Sequence, residues 1–550
     1  MVSVAENIVK TLEERGIKYV FGIPGEENIR LVDAIHNSDK IRFILVRHEQ
    51  GASFMAEVYG RLTGLPGVAT ATLGPGAINL LLGVADAFTT STPMIAITAQ
   101  GGLNRIYKES HQVIDLEAMF RPITKWAGTL YTAKASGEVL MKAYNNAVSG
   151  RPGPTYLAIP QDVEEEEVDT VTAPLPIPKE KSFPDQSLIA KATDIIAHAK
   201  HPILLAGTGV VREHAVSELR TLVKETHIPV ATTFMGKGAV SDEDPYALGV
   251  VGFMVKDYEN FAFDEADVLI SVGYSFSEFD PKKINPNSDK TIIHLNSFGP
   301  ETDSHFPITV NIISTLNESI KAIRKSLVAR HFESPFYAEN IRKTLAKERA
   351  IGASDTAYPF KPQTLVYVTR VVMPDKGIVL VDTGALKMWM ARLYPTYEPN
   401  TCLIDNGLST MSWTLPGAIG AKLAVPDQPV LAVMGDGSFM MNSQEIETAV
   451  REKIPMTILI WTDKAYGLIK WKMDLELGHH SEVDFSNPDF VKYAKSFGAV
   501  GHLATSREDL KESLEKALSD EEHVNVIIAP VDYEENNKLL QKLGDLTISI

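Results

Sequence analysis

The chain has 550 residues, 44% apolar and 22% charged, which is the composition of an ordinary globular protein with room for roughly three or four domains. Its formal charge of −17 speaks against nucleic acid or an anionic membrane surface as the main partner. No stretch supplies the ~20 uninterrupted apolar residues of a membrane span, since Ala77 to Ala99 is broken by Asn79, Asp86 and Pro93, and the single cysteine, Cys402, excludes an internal disulfide.

Met1 to Gly16 alternates charged and apolar residues like an amphipathic helix and has no signal-peptide core, so a cytoplasmic location is expected. The region up to about Asp162 repeats apolar strand-like runs at Tyr19–Gly22, Phe43–Val46, Val68–Ala71 and Met94–Ile97, separated by helical periodicity. This pattern predicts a parallel sheet with helices on both faces. Ile44-Leu45-Val46-Arg47-His48-Glu49 ends a buried-looking strand with Glu49 at its carboxyl edge, and a helix is expected from Gln50 to Leu62. A desolvated glutamate there suits proton exchange with a nitrogen base; a carboxylate that caps or offsets the dipole of the helix is the alternative. Gly74-Pro75-Gly76-Ala77-Ile78-Asn79 is a tight glycine loop opening another helix, and His111-Gln112 lies on a later loop. Glu164 to Glu167 reads as a solvated linker that Pro174, Pro176, Pro178 and Pro184 then stiffen.

The second region predicts strands at Ile203–Ala206, Pro229–Thr232, Val268–Ser271 and Ile292–Leu295. Gly207-Thr208-Gly209 follows the first of these as a dinucleotide-binding loop would. The third glycine is missing, however, and no acidic residue ends a second strand at the expected spacing, so a Rossmann-like domain without its nucleotide site is expected. A charged, helical connector from about Arg330 to Lys361 leads to the third region. There, strands are expected near Val379–Val381, at Val430–Met434 and Met456–Trp461, and near Val526–Ile528, with Cys402 a packed strand thiol. Two of these strands run into Gly435-Asp436-Gly437-Ser438 and Thr462-Asp463-Lys464-Ala465-Tyr466. Between them Asn442-Ser443-Gln444-Glu445 reads as a capped helix start, followed by Ile446, Ala449 and Val450. A right-handed crossover brings both aspartates to one carboxyl edge, where open α/β sheets bind ligands. Paired carboxylates there suit a hard divalent cation and the glycines suit a phosphate, so the pair predicts a Mg-diphosphate cradle; two unrelated turns are the alternative. His479-His480 reads as a surface loop. The tryptophans read as packing residues except Trp413 and Trp471, expected to line a pocket, and Leu539 to Ile550 reads as a loosely packed terminus.

Taken together these residues resemble the thiamine diphosphate-dependent enzymes over the whole length, and within them the catabolic, flavin-free acetolactate synthases. The resemblance rests on Arg47-His48-Glu49-Gln50-Gly51-Ala52, on His111-Gln112 leading to Phe120-Arg121-Pro122-Ile123-Thr124-Lys125, and on Pro160-Gln161-Asp162-Val163. It continues through Gly273-Tyr274-Ser275-Phe276-Ser277-Glu278-Phe279-Asp280-Pro281, Asn406-Gly407-Leu408-Ser409-Thr410-Met411 and Pro530-Val531-Asp532-Tyr533. It implies an α/β fold of three doubly wound parallel-sheet domains: pyrimidine-binding (1–165), middle Rossmann-like (187–329) and diphosphate-binding (362–535). Flavin-binding relatives carry an Arg-containing sequence in place of the Gly273–Pro281 string, so FAD is not expected.

The resemblance also implies roles. Glu49 would bond the pyrimidine N1′ of thiamine diphosphate, Met411 would be the apolar wedge that bends the cofactor, and Ser409 would offer a carbonyl to its 4′-amine. Asp436, Asp463 and the Ala465 backbone would hold Mg²⁺. Gly25, Gly76, Gly437, Ser438, Tyr466, Gly467 and Leu468 would complete the cofactor site. Gln112 and His111 would face the substrate, and Leu73, Leu468, Ile469 and Lys472 would border its pocket. The implied activity is a carboligase that decarboxylates pyruvate and joins the two-carbon unit to a second pyruvate, giving 2-acetolactate and CO₂. A non-oxidative 2-keto acid decarboxylase releasing an aldehyde is the alternative. In this family the glutamate and the metal site come from different subunits, which implies a homodimer or homotetramer acting on small 2-keto acids. The chain departs from the family pattern at Leu73, Thr462, Ser412, Trp413, Lys387 and Lys472. None of these removes a residue the cofactor needs, and together they bear on which substrate fits.

Overall fold

The computed structural model describes residues 1–169, 176–177, 181–252, 256–327, 331–332 and 336–548. Pro174 and Pro178 of the expected linker, Arg330 of the connector and Ile550 of the tail lie outside the described residues.

Every predicted strand forms, and the strands assemble into three six-stranded sheets in which all neighbours are parallel. The central strands are nearly unbroken apolar runs because helices cover both faces, with Leu431 to Met434 and Ile458 to Trp461 wholly buried, whereas the edge strands Arg42–Leu45 and Val500–Leu503 are largely exposed. In the N-terminal sheet the spatial order is Arg42–Leu45, Tyr19–Gly22, Gly67–Ala71, Met94–Gln100, Pro154–Pro160, Trp126–Thr129. The C-terminal sheet repeats this plan: Cys402–Ile404, Ile378–Val381, Val430–Gly435, Met456–Thr462, Val524–Pro530, Val500–Leu503. In both, the second and third strands of this order, Tyr19–Gly22 beside Gly67–Ala71 and Ile378–Val381 beside Val430–Gly435, are the first and third of their sheet along the chain, and their connections leave toward opposite faces, which opens a crevice at their carboxyl ends. The middle sheet runs Ala247–Val251, Val230–Thr233, Pro202–Ala206, Val268–Val272, Thr291–Asn296, Ile308–Ile313, with its crevice between the third and fourth of these.

Three local expectations are refined. The N-terminal helix spans Val4–Glu14, because extended Ser3 caps it through a reciprocal pair with Glu6 while Val2 and Ser3 pair antiparallel with Val168 and Glu167. Glu165, Glu166 and Glu167 are exposed as a solvated run would be, but the segment is anchored and Glu164 departs from that expectation. Glu164 sits on the helix Gln161–Glu165, is 1% exposed, and accepts the Leu31 N–H at 2.5 Å. Finally, the helix start expected at Asn442 to Glu445 forms at Glu445, opening Glu445–Arg451 without a side-chain cap, and a further helix, Asp436–Asn442, precedes it in the crossover.

Within the chain, the N- and C-terminal domains meet along two helices, Glu49–Thr63 and Thr414–Ala424. Glycines allow backbone contact there. A Cβ on Gly420 would stand 2.3 Å from the Met55 carbonyl oxygen, and one on Gly417 would stand 2.9 Å from the Val58 side chain. The pairing of 55 with 420 and 58 with 417 makes the helices antiparallel.

Candidate active site

The C-terminal crevice gathers the paired aspartates. Asp436 is the first residue of its helix, directly after strand Val430–Gly435, and Asp463 directly follows strand Met456–Thr462. Asp436 is buried and accepts the Lys464 N–H at 2.8 Å and the Asn487 amide at 2.7 Å. Burial raises its carboxyl above the ordinary range, and burial together with the facing Asp436 pushes Asp463 up to about 7. No lysine or arginine side chain among the described residues pairs with either carboxylate, so the pair is an uncompensated negative site. The donor set fits Mg²⁺, which takes one or two carboxylates and fills its remaining positions with carbonyl, water and phosphate oxygens. Glycine makes the space: a Cβ on Gly467 would lie 2.2 Å from Asp463 Oδ2, and one on Gly437 would lie 2.9 Å from the Tyr466 ring. Residues 464–466 are held by a neighbouring segment, Tyr466 N–H on the Val483 carbonyl and Phe485 N–H on that of Lys464. The Ser438 hydroxyl reaches the Thr383 carbonyl across the crevice at 3.4 Å. Asn487 carried no signal of its own in the sequence.

The loop before Met411 is built from buried charge. Asp405 accepts the Thr410 N–H at 2.7 Å and the Gly407 N–H at 3.2 Å, and Asp382 accepts the Ser412 N–H at 3.0 Å. Lys387 bonds the Ser409 hydroxyl and the Asn406 amide oxygen, each at 3.0 Å, and the Asp405 carbonyl at 3.3 Å. Burial lowers its pKa and pushes Asp382 up to about 7. These bonds hold Ser409 and Ser412 at φ of 59° and 69°, a left-handed backbone that is strained outside glycine, and leave Met411 half-buried between them.

Glu49 lies at the other domain's edge. It opens the helix Glu49–Thr63, while His48, whose Nδ1 accepts the Gln50 N–H at 3.1 Å, is the cap. Glu49 is 8% exposed; its Oε2 accepts the Asn79 amide at 3.0 Å, and a Cβ on Gly76 would stand 3.2 Å from its Oε1. The glycine loop thus leaves one face of this carboxylate uncovered by side chain. Gly25 packs against Thr72 across the crevice, and Gln112 lies exposed over Gly74, its φ of 59° turning the loop after His111, whose carbonyl bonds Arg105. Leu73 is fully buried beneath this loop.

Glu49 and Met411 do not converge within one chain. They flank opposite ends of the antiparallel helix pair. Trp413 reaches Glu57, and the rise from Glu49 to Glu57 alone is about 12 Å. Trp413 itself is a correction: it lies wholly in the domain seam, with Nε1 donating to Glu57 Oε2 at 2.8 Å, so it packs and does not line a pocket. Trp471 is also buried and bonds Asn537 at 3.0 Å. On the same helix Leu468 is half-buried, whereas Ile469 and Lys472 face outward beside exposed Tyr466. His480 pairs with Asp474 at 2.7 Å at the surface, and burial pushes the Cys402 thiol up to about 11.

In the middle domain the crevice is filled from within. The Glu278 carboxylate accepts the Thr208 N–H at 2.9 Å, the Ser275 N–H at 3.0 Å and the Thr233 hydroxyl at 2.5 Å. A Cβ on Gly207 would lie 2.7 Å from its Oε1. An internal carboxylate thus occupies the amides that a dinucleotide phosphate would use.

Three stretches match the thiamine pyrophosphate enzyme family: its N-terminal TPP binding domain at residues 2–119, its central domain at 189–323, and its C-terminal TPP binding domain at 382–529. The chain is 35% identical to the acetolactate synthase of Bacillus subtilis (strain 168), over 98% of this chain and 96% of the relative. It is 36% identical to the probable acetolactate synthase large subunit of Methanococcus aeolicus, over 94% and 90%. To the catabolic acetolactate synthase of Raoultella terrigena it is 31% identical, over 98% and 97%.

Proposed function

The chain belongs to the thiamine pyrophosphate enzymes, and from that membership we propose that it is a Mg²⁺-dependent carboligase that converts two pyruvates to 2-acetolactate and CO₂. The observation that carries this reading is the end-to-end likeness to acetolactate synthases in a chain that keeps Glu49, Asp436 and Asp463 together with the cradle around each.

Asp436, Asp463 and the Ala465 carbonyl would hold Mg²⁺, with Gly437 and Ser438 toward the diphosphate. When bound, thiamine diphosphate supplies a nucleophilic carbon and an electron sink for loss of CO₂ from a 2-keto acid. Glu49 would exchange a proton with the pyrimidine N1′ of a bound cofactor, and Asn79 holds its Oε2 in place at 3.0 Å. Met411 is the apolar support on the opposite side of the site. Asp382, Asp405 and Lys387 hold its loop in the strained form that presents the Ser409 carbonyl. Leu73, Leu468 and Ile469 exclude water near the reacting carbon, and Gln112, His111 and Lys472 supply polar contacts for a second keto acid.

The separation of Glu49 from Met411 along the helix pair supports a site completed by a second copy of the chain, as a dimer or tetramer. Occupation of the middle crevice by Glu278 supports a flavin-free enzyme. No described helix is long and apolar enough to cross a membrane, and the proposed substrates are small 2-keto acids of the cytoplasm.

Incubation with thiamine diphosphate, Mg²⁺ and pyruvate, followed by product identification, tests the proposal. Acetolactate is expected. Acetaldehyde as the sole product would replace the carboligase with a decarboxylase, and a yellow flavin bound to the purified protein would overturn the flavin-free reading.

A further inference from the structure

Glu445 lies outside every residue set named for the cofactor or the substrate, yet its surroundings are among the most constrained in the chain. It opens the helix Glu445–Arg451 of the C-terminal domain and is completely buried. Its carboxylate crosses the domain seam: Oε1 accepts the Arg47 N–H at 3.1 Å and the His48 N–H at 3.0 Å, and Oε2 accepts the Arg47 N–H at 3.3 Å. Those amides belong to the two residues immediately before Glu49, at the N-terminus of a helix of 15 residues. The Thr448 hydroxyl, one turn along its own helix, steadies the second oxygen at 2.6 Å. Gly51 completes the notch, because a Cβ there would stand 2.7 Å from Glu445 Oε1.

A buried carboxylate is costly unless hydrogen bonds satisfy it, and burial pushes this one up to about 7. Here it meets free amides and the positive end of a helix dipole, the environment that best accommodates a negative charge. Ordinarily a residue just before a helix caps that helix from its own chain segment; here His48 does so for Gln50, and a residue from another domain holds the amides of 47 and 48. The same seam is pinned on either side. Arg451 bonds the Leu45 carbonyl, Arg42 bonds the Glu452 carbonyl at 3.2 Å, and Arg47 Nε lies 3.9 Å from Glu447 Oε2. Helix Glu445–Arg451 is thus a bracket around the strand-to-helix junction from which Glu49 projects.

We propose that Glu445 is a positioning residue for catalysis, its carboxylate clamping the backbone of residues 47 and 48 so that docking of the C-terminal domain fixes the aim of the Glu49 side chain. The proposal rests on the reading of Glu49 as the proton-exchanging group. In this arrangement the domain that holds the metal pair also sets the geometry of the glutamate carried by the same chain, although the two serve different composite sites.

Glu445→Gln keeps the shape and one acceptor oxygen but puts an N–H₂ where the second acceptor stood. Gly51→Ala leaves the carboxylate intact and pushes it out of its notch. For each variant, Mg²⁺-supported thiamine diphosphate binding, pyruvate kinetics and amide hydrogen exchange of the cofactor-free protein are measured, with Glu49→Gln run alongside. Cofactor affinity and KM are expected to stay within about threefold of wild type while kcat falls about 10- to 100-fold, the cost of a small misplacement of a reacting group. Exchange across residues 45–52 is expected to quicken on the order of tenfold, with the sheet strands unchanged. A wild-type kcat in either variant, or a kcat loss without faster exchange at 45–52, overturns the proposal. If Glu445→Gln does not fold, Gly51→Ala decides alone. Full product formation by Glu49→Gln would instead refute the reading of Glu49, an outcome separable from the local exchange data.

Discussion

Gly467→Ala sets helix propensity against metal coordination at a single atom. Gly467 opens the helix Gly467–Leu477, and alanine, preferred by up to about 1 kcal/mol in a helix interior and by less at its first residue, does not weaken the helix on propensity alone. The added Cβ would stand 2.2 Å from Asp463 Oδ2, 3.3 Å from Asp463 Cγ and 3.5 Å from the Tyr533 ring. Ordinary contact begins near about 3.5 Å, so the Asp463 oxygen must retreat by roughly 1 Å, which a side-chain rotation accommodates without moving backbone. Mg²⁺ demands near-ideal octahedral geometry, and a ligand displaced that far is effectively lost. The expected outcome is a melting temperature no lower than wild type together with Mg²⁺ affinity reduced about 10- to 100-fold. The assay is a Mg²⁺ titration of thiamine diphosphate binding by calorimetry at fixed cofactor concentration, beside thermal unfolding of the cofactor-free protein. Asp436→Asn provides the comparison, weakening metal and cofactor retention at least as much. An unchanged Mg²⁺ midpoint in a well-folded Gly467→Ala protein would refute Asp463 as a ligand.

Glu49→Gln is expected to reduce turnover by at least about 100-fold while thiamine diphosphate binding persists, as measured by initial rates and calorimetry on the same preparation. Trp413→Phe deletes the 2.8 Å bond to buried Glu57 and is expected to cost about 1–3 kcal/mol in denaturant unfolding with KM unchanged; a raised KM would return Trp413 to the pocket wall. Glu164 yields a pH test. Burial raises its carboxyl from 4.5 to about 7, so the folded chain holds a proton that the unfolded chain releases, and stability from this group falls as pH climbs from about 4.5 to 7. The rise is worth at most roughly 3.5 kcal/mol. Glu164→Gln, which keeps an acceptor for the Leu31 N–H, should therefore raise the melting temperature more at pH 8 than at pH 5, and an equal shift at both would refute the assignment.

Much of the molecule was legible before folding, for identifiable reasons. Parallel strands sheltered on both faces must be apolar throughout, so Tyr19–Gly22, Val430–Met434 and Met456–Trp461 announced themselves, and the crossover between the last two placed Asp436 and Asp463 on one edge. Errors fell where charge is buried. Glu164 looked solvated because a run of glutamates usually is, and Trp413 looked like a pocket wall because it follows Met411, the residue proposed as the apolar support of the cofactor. In both cases a single distant partner, Leu31 N–H or Glu57, reverses the local expectation. Asn487 and Asn79 carried no signal as partners of the proposed site because each contributes one hydrogen bond to a carboxylate far away in sequence.

The sequence by itself determined the three doubly wound sheets, the paired aspartates after adjacent strands, and Glu49 at a strand's carboxyl edge, since strand periodicity and crossover handedness are local rules. Only the tertiary structure decided what surrounds those carboxylates. Glu278 seals the middle crevice, Gly467 and Gly76 leave room beside Asp463 and Glu49, the antiparallel seam holds Glu49 apart from Met411, and Glu445 reaches across it to the amides of 47 and 48. Each of these depends on which distant backbone comes within 3 Å of a side chain, and that is settled by the packing of whole domains.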